Sequence, residues 1–388
     1  MGRPTLAVEG LPPITPASGK GRYMWSRRLP WFATLALVAA VLNGPSASAQ
    51  GVANSTVRLA KIAIPGKALR SFDIGWVDPA TARYYLADRS NASVDVVDTT
   101  ENAVVKQITG FKGFTGNNDT SGPNGVVSVS RSELWVGDGD SDVKVVDVPT
   151  GSIMATISTG GKNRADELAF DPQHGLIVIA NDADDPPFLS FINVASRSVA
   201  KKLEFPDATD GLEQPVLDPA SGIMYQAVPA TKDHEGGEIA VIDDGQMAVT
   251  GTYVLTDCQP HGLAVGPNHQ LLVGCSLTDH TLVLDARNGR VLADLPQTGG
   301  SDEVWFNPGE NRYYLAERGP EALGIIDALT DRFAENVETG VGAHSVAADA
   351  VNNHIFVPIS APDPACPNGC IAVFASVNGD RGGQPRTQ

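Results

Sequence analysis

Seven residues able to do chemistry recur at one position of a degenerate repeat: Asp73, Asn124, Asp166, Glu213, His261, Asp302 and His344. Four are carboxylates, two are imidazoles and one is a carboxamide, so every side chain in the set can ligate a metal or form hydrogen bonds. Two His among carboxylates suit Zn, Mn, Fe or Cu, while carboxylates with Asn suit Ca or Mg. A divalent metal ion is therefore the cofactor expected, with His261, His344, Asp166, Glu213 and Asp302 as the pool of ligands. Carboxylates crowded together repel one another and rise in pKa unless a cation or water neutralises them. The competing expectation is a set of polar groups that only solvates ordered water.

Each of these residues opens a short apolar phrase closed by a turn, as in Asp73-Ile-Gly-Trp-Val-Asp-Pro79, Asp166-Glu-Leu-Ala-Phe-Asp-Pro172 and Asp302-Glu-Val-Trp-Phe-Asn-Pro308. The intervals between them are 51, 42, 47, 48, 41 and 42 residues. A second apolar run follows each turn, for example Tyr84-Tyr-Leu-Ala-Asp88, Leu176-Ile-Val-Ile-Ala-Asn181 and Tyr313-Tyr-Leu-Ala-Glu317. A third run ends in an acid or Asn at 98, 147, 193, 243, 285 and 327. The runs are short, rich in β-branched and aromatic residues, and bounded by Gly, Pro, Asn and Asp, which is the signature of strands. No part of the chain after the leader keeps a helical period. Seven units of about 45 residues with roughly four strands each predict an all-β, seven-bladed β-propeller. The last unit is too short for its fourth strand. The segment 57–64 has no blade of its own and is expected to close the ring as the outer strand of the last blade.

In a propeller the first strand of each blade lines a central channel, so the seven polar residues mark one mouth, with Asp73 and Asn124 as lining residues beside the ligand pool. A small-molecule ligand is expected there. Strand alternation sends Glu167 and Glu303 away from that ring. Arg70, Lys162 and Arg164 flank ring positions and are available to neutralise an anionic substrate. His174, His269 and His354 fall in turns on the opposite face. His234 and His280 fall in loops on the mouth side, as do the insertion 110–122 and the acidic loop 182–185, which read as a rim or as solvated loops.

The chain has 388 residues, of which 42% are hydrophobic and 19% charged, with a net charge of −17. That acidity opposes nucleic-acid binding, which needs basic patches. Arg27 and Arg28 precede the apolar run Trp31–Leu42, and Ala47-Ser48-Ala49 supplies small residues for cleavage, so 1–49 reads as a signal peptide. The run is too short for stable membrane insertion. Removing that leader takes away five bases and one acid, leaving 23 bases against 44 acids, a net of −21. The domain organisation expected is a propeller over 50–376 and a disordered tail over 377–388, in a secreted or periplasmic protein. Four cysteines in an exported chain favour disulfides. Cys258 precedes the inner strand of the fifth blade and Cys275 ends the strand that returns beside it. Cys366 and Cys370 flank the turn Pro-Asn-Gly. The expected pairs are 258–275 and 366–370.

The second-strand phrases Tyr-Leu-Ala-Asp, Val-Ile-Ala-Asn and Leu-Val-Gly-Cys resemble the strand that defines YVTN-repeat propellers. Pro260-His-Gly-Leu-Ala264 and Gly342-Ala-His-Ser-Val-Ala347 are similar to that family and to gluconolactonase-type and streptogramin-lyase-type propellers. The resemblance covers about 57–376 and departs in the first blade, with Gly75-Trp76 in the inner strand. It implies a fold more than a function, because such propellers include lactonases, lyases and binding proteins. There is no Gly-x-Ser-x-Gly, phosphate loop, dinucleotide fingerprint or His-Glu-x-x-His. Two functions are thus expected: a metal-dependent hydrolase, lactonase or lyase acting on a small molecule, or a non-catalytic exported binding or scaffold protein.

Overall fold

The computed structural model describes residues 55–276, 278 and 280–377. The leader, residues 50–54 and the tail from 378 lie outside the described residues. The seven repeats form seven four-stranded antiparallel sheets, and the described helices are two three-residue 3-10 turns. The inner strand of each blade neighbours that of the next, and the inner strand of blade 7 neighbours that of blade 1, so the ring is closed.

Burial explains why the strands differ in pattern. The second strand of blade 3, Leu176–Asn181, is buried at every position and reads as a continuous apolar run. The outer strand of blade 2, Ser152–Ser158, alternates between exposed residues and part-buried or buried ones because only one side packs on its neighbour. The apolar clusters lie between blades. One joins Tyr314, Leu323 and Ile325 of blade 6 to Val357, Ala372 and Phe374 of blade 7. Another joins Tyr84, Leu86 and Val97 of blade 1 to Phe356, Ile371, Val373 and Ile62 of blade 7.

The last blade is built from both ends of the described chain. Its inner strands are Ala347–Ala348, Ile355–Ile359 and Cys370–Ser376, and its outer strand is Thr56–Ile62. Thr56 pairs with Ser376 and Ile62 with Ile371. The strand is two residues shorter at its end than the 57–64 expected, and Pro65 follows closely, with no amide hydrogen to extend a ladder. The same segment reaches the neighbouring blade. Ser55 donates through its amide and hydroxyl to Glu335, at 2.9 and 2.6 Å, and the Arg58 guanidinium donates to the carbonyls of Glu338 and Thr339.

Both disulfides have the expected pairing, Cys258–Cys275 and Cys366–Cys370. The first closes a sequence separation of 17, so replacing both cysteines with Ala is expected to cost about 3 kcal/mol through the freed unfolded chain. The second closes a separation of 4 and its loss costs less. Urea denaturation of the two double variants checks the order.

Blade 1 buries two acids against each other. Asp95 is fully buried and accepts from Gln107 Nε2 at 2.9 Å and Ser93 Oγ at 3.1 Å. Burial and the neighbouring Asp88 push its carboxyl up to about 8. The folded state therefore holds a proton that the unfolded chain releases near pH 4, and stability falls as pH rises from about 4 towards 8. Asp95→Asn keeps an acceptor and adds a donor towards Asp88. It is expected to raise Tm at pH 8 by several degrees and to flatten the slope between pH 5 and 8 (scanning fluorimetry). An unchanged slope would refute this account.

Candidate functional site

The seven polar residues sit at one mouth of the channel, placed there by short extended lead-ins rather than by the strands proper. Asp73, Asn124, Asp166 and Glu213 each stand two residues before the inner strand of their blade, and His344 three before. His261 and Asp302 lie inside strands, at points where the register with the next strand slips. Backbone bonds between blades hold this rim: Gly125 N–H donates to Asp166 O at 3.1 Å, Gln214 N–H to His261 O at 3.3 Å and Glu303 N–H to His344 O at 3.0 Å. Gly262 permits the close approach of blades 5 and 6, since a Cβ there would lie 2.4 Å from the Asp302 carbonyl oxygen.

The rim encloses a cavity of about 840 Å³. Six of the seven predicted residues line it, and Asn124 stands just behind, bonded to Arg89. Three of them converge. A ligand atom from each of Glu213, His261 and Asp302 lies within 4.8 Å of the others, and His261 Nε2 is 3.5 Å from Glu213 Oε1. The orientation of the imidazole suits ligation. His261 Nδ1 lies 3.0 Å from the Gln259 carbonyl, so Nδ1–H donates there and Nε2 keeps its lone pair for the cluster. Burial alone would raise the Asp302 carboxyl, but Arg318, His344 and His261 overcome it and hold Asp302 below the usual carboxylate range. Burial and Asp302 push Glu213 well up.

The other predicted residues stand apart from that trio. His344 stacks flat on Phe72, with ring centroids 4.3 Å apart, and its Nδ1 donates to Gly342 O at 2.7 Å. Burial lowers its pKa. Asp166 pairs with Arg164 at 2.8 Å, and Arg164 also binds Asp182 at 2.6 Å. Asp73 pairs with Arg89, which also donates to Asn124 Oδ1 at 2.7 Å. Asp302 itself accepts from Arg318 at 2.5 Å.

Two expectations need correction. Glu167 and Glu303 do not turn away from the channel: both border a second cavity further along it, and Glu167 also lines the first. Alternation fails because Glu167 precedes its strand, which begins at Leu168, and Glu303 sits at a register slip. Buried Glu303 reaches across to blades 7 and 1, accepting from Ser345 Oγ, from Val346 N–H at 3.1 Å and from Gly75 N–H at 3.5 Å. The mouth is also less acidic than the ring alone implies. Arg70, Arg89, Arg164 and Arg318 all line it.

Arg89 and Arg318 carried a signal that was available in the repeat. Two places after the small residue of the second strand (Ala87, Ala180, Gly274 and Ala316) come Arg89, Asp182, Ser276 and Arg318, of which Arg89, Ser276 and Arg318 line the mouth and Asp182 holds the lining residue Arg164. The insertion 110–122 contributes Phe114 and Asn118 with Asp119 to the wall. The acidic loop instead anchors Arg164 and the Lys162 amide. His234 bonds Glu238 at 2.8 Å and His280 bonds Asp294 at 3.0 Å, and neither borders the cavity. His280 also lies near Cys258 and Cys275, but that group is closed as a ligand set by the disulfide.

No family is identified by sequence. No family model and no curated protein matches the chain, so the YVTN-repeat resemblance rests on its motifs. A solved structure described as hydrazine synthase from Kuenenia stuttgartiensis is similar, with a TM-score of 0.64 at 15% identity, over 76% of this chain and 95% of that chain. That likeness shows the seven-bladed propeller fold alone.

Proposed function

We propose that the mouth binds one divalent metal ion through Glu213, His261 and Asp302, and uses it to act on a small carbonyl compound as a hydrolase, lactonase or lyase. The observation that carries this reading is the convergence of the three ligand atoms within 4.8 Å, on side chains from three successive blades. Three protein ligands leave coordination positions open for water or substrate, the arrangement found in catalytic rather than purely structural sites. The bound ion would polarise the carbonyl. The chain's own groups supply the rest. Glu167, buried and carrying an oxygen without a hydrogen-bond partner, is pushed well up by burial and by Glu213, so it can hold a proton in the wall of the cavity that Asp302 also lines. Arg70, Arg89 and Arg164 offer cationic edges for an anionic substituent of the substrate.

A second reading is a binding protein without catalysis. It is favoured by the Arg318–Asp302 ion pair, which already neutralises one member of the trio. Export fits both readings. The two disulfides belong in an oxidising compartment, and no described helix is long and apolar enough to cross a membrane.

Chelator-stripped protein dialysed against Zn, Mn, Mg or Ca and assayed by elemental analysis tests the metal, and a panel of lactones and esters tests the chemistry. Metal retention with turnover supports catalysis. Ligand binding without turnover or metal supports the second reading and removes the first.

A further inference from the structure

The far end of the inner strands carries a second convergence, outside the cavity. Asp171 ends the inner strand of blade 3, His174 lies in the turn that follows, and Asp244 comes directly after the third strand of blade 4, Glu238–Asp243. Their ligand atoms lie within 4.8 Å of one another across the seam between the two blades. His174 Nδ1 is 2.5 Å from Asp171 Oδ2 and 3.3 Å from Asp244 Oδ1. Asp171 and Asp244 are each 1% exposed. Asp171 is supported by the amides of Gln173 and His174, at 2.7 and 3.2 Å. Neither oxygen of Asp244 has a hydrogen bond of normal geometry. Asp244 thus faces the Asp171 carboxylate with the His174 imidazole as its one basic neighbour in the cluster, at 3.3 Å, a costly arrangement unless a cation or a proton enters.

The repeat shows that this acid is not dictated by the fold. The positions equivalent to Asp244 in blades 1, 2, 3, 5 and 6 are Thr99, Val148, Val194, Ala286 and Ala328. At the seam between blades 7 and 1, Thr99 donates its hydroxyl to Asp349 at 2.5 Å, so donor meets acceptor. At the seam between blades 4 and 5, one acid meets one imidazole, with His269 Nδ1 2.8 Å from Asp218. Among the described residues, only between blades 3 and 4 do two buried acids and an imidazole edge point at one spot. His174 remains 37% exposed, so the spot opens to water on one side.

We infer that Asp171, His174 and Asp244 form a second metal site, taking a first-row divalent cation such as Zn2+ or Mn2+ that staples blade 3 to blade 4. Two carboxylates and an imidazole match the ligand preferences of those ions, with water completing the shell. The site does not depend on the reading of the mouth, and its three residues lie outside the lining of that cavity.

The test uses the full chain without an affinity tag, stripped by chelator, with His261→Ala and Asp302→Asn introduced to silence the mouth. It is exposed to Zn2+ or Mn2+ separately. About one equivalent of ion should survive gel filtration, and Tm should rise on loading. Asp244→Asn and His174→Ala should each remove that equivalent and the rise. Asp244→Asn is the informative variant because it restores a donor facing an acceptor, as at the Thr99–Asp349 seam, and should fold. If the silenced background does not fold, a drop of one equivalent on Asp244→Asn in the otherwise unaltered chain is the deciding result. The inference is overturned if the background retains no ion, or if Asp244→Asn retains as much as its parent.

Discussion

A chain lacking residues 55–64 is expected to lose its closed ring. The strand Thr56–Ile62 supplies the outer ladder of blade 7, buries Ile62 in the cluster between blades 7 and 1, and ties blade 6 through Ser55 and Arg58. Burying Ile62 alone is worth about 1.5–3 kcal/mol, and the ladder and the Glu335 bonds add to that. Against a typical stability of roughly 5–15 kcal/mol, the loss is large. It also turns Cys370–Ser376, buried at nearly every position, into an open sheet edge, which invites pairing between chains. We expect a fall in Tm of roughly 10 °C or more, or aggregation in place of a monomer peak. A deletion variant that elutes as before and melts within about 2 °C of the parent would show that the ring does not rely on this strand.

Replacing His261 with Ala and Asp302 with Asn is expected to weaken metal retention at the mouth by at least roughly 100-fold, while leaving the fold intact. His261 and Asp302 are only part-buried and belong to none of the apolar clusters between blades. The Asp302–Arg318 pair that is lost has an arginine 60% exposed, so its contribution to stability is small. His344→Ala separates two ligand sets. If the ion sits on Glu213, His261 and Asp302, this change leaves retention within a few-fold and lowers stability by about 1 kcal/mol through the lost stacking on Phe72. Loss of the ion with His344 would instead mean that both imidazoles share it. Titration calorimetry with Zn2+ and Mn2+, alongside thermal melts, distinguishes the outcomes.

Much of this molecule is legible from spacing. A polar residue at 73, 124, 166, 213, 261, 302 and 344 implies seven copies of one unit, and a repeat forces equivalent residues to equivalent heights in a ring. The surplus strand before the first unit and the missing strand in the last imply closure, because an unpaired sheet edge is unfavourable. The Cys258–Cys275 pair follows from the same register, since antiparallel neighbours bring those ends together, whereas Cys366–Cys370 is legible from the Pro-Asn-Gly turn between them. Side-chain direction is less legible. Alternation predicts it only within a regular ladder, and Glu167 lies before one while Glu303 lies on a slip in another.

Periodicity along the chain thus specifies the blade count, the closing strand, the Cys258–Cys275 cross-link and which residues share the mouth. It does not specify partners across the ring. That Arg89 holds Asp73 and Asn124, that Arg164 holds Asp166 and Asp182, and that Arg318 holds Asp302 depends on side chains from different strands and blades meeting in three dimensions. The grouping of Glu213 with His261 and Asp302, apart from His344, is likewise a matter of how tightly neighbouring blades approach at Gly262 and where the His344 ring finds a flat surface in Phe72. Electrostatic pairing follows distance in space and burial, neither of which one chain's spacing contains, so tertiary packing alone settles which acids stay free to bind a cation.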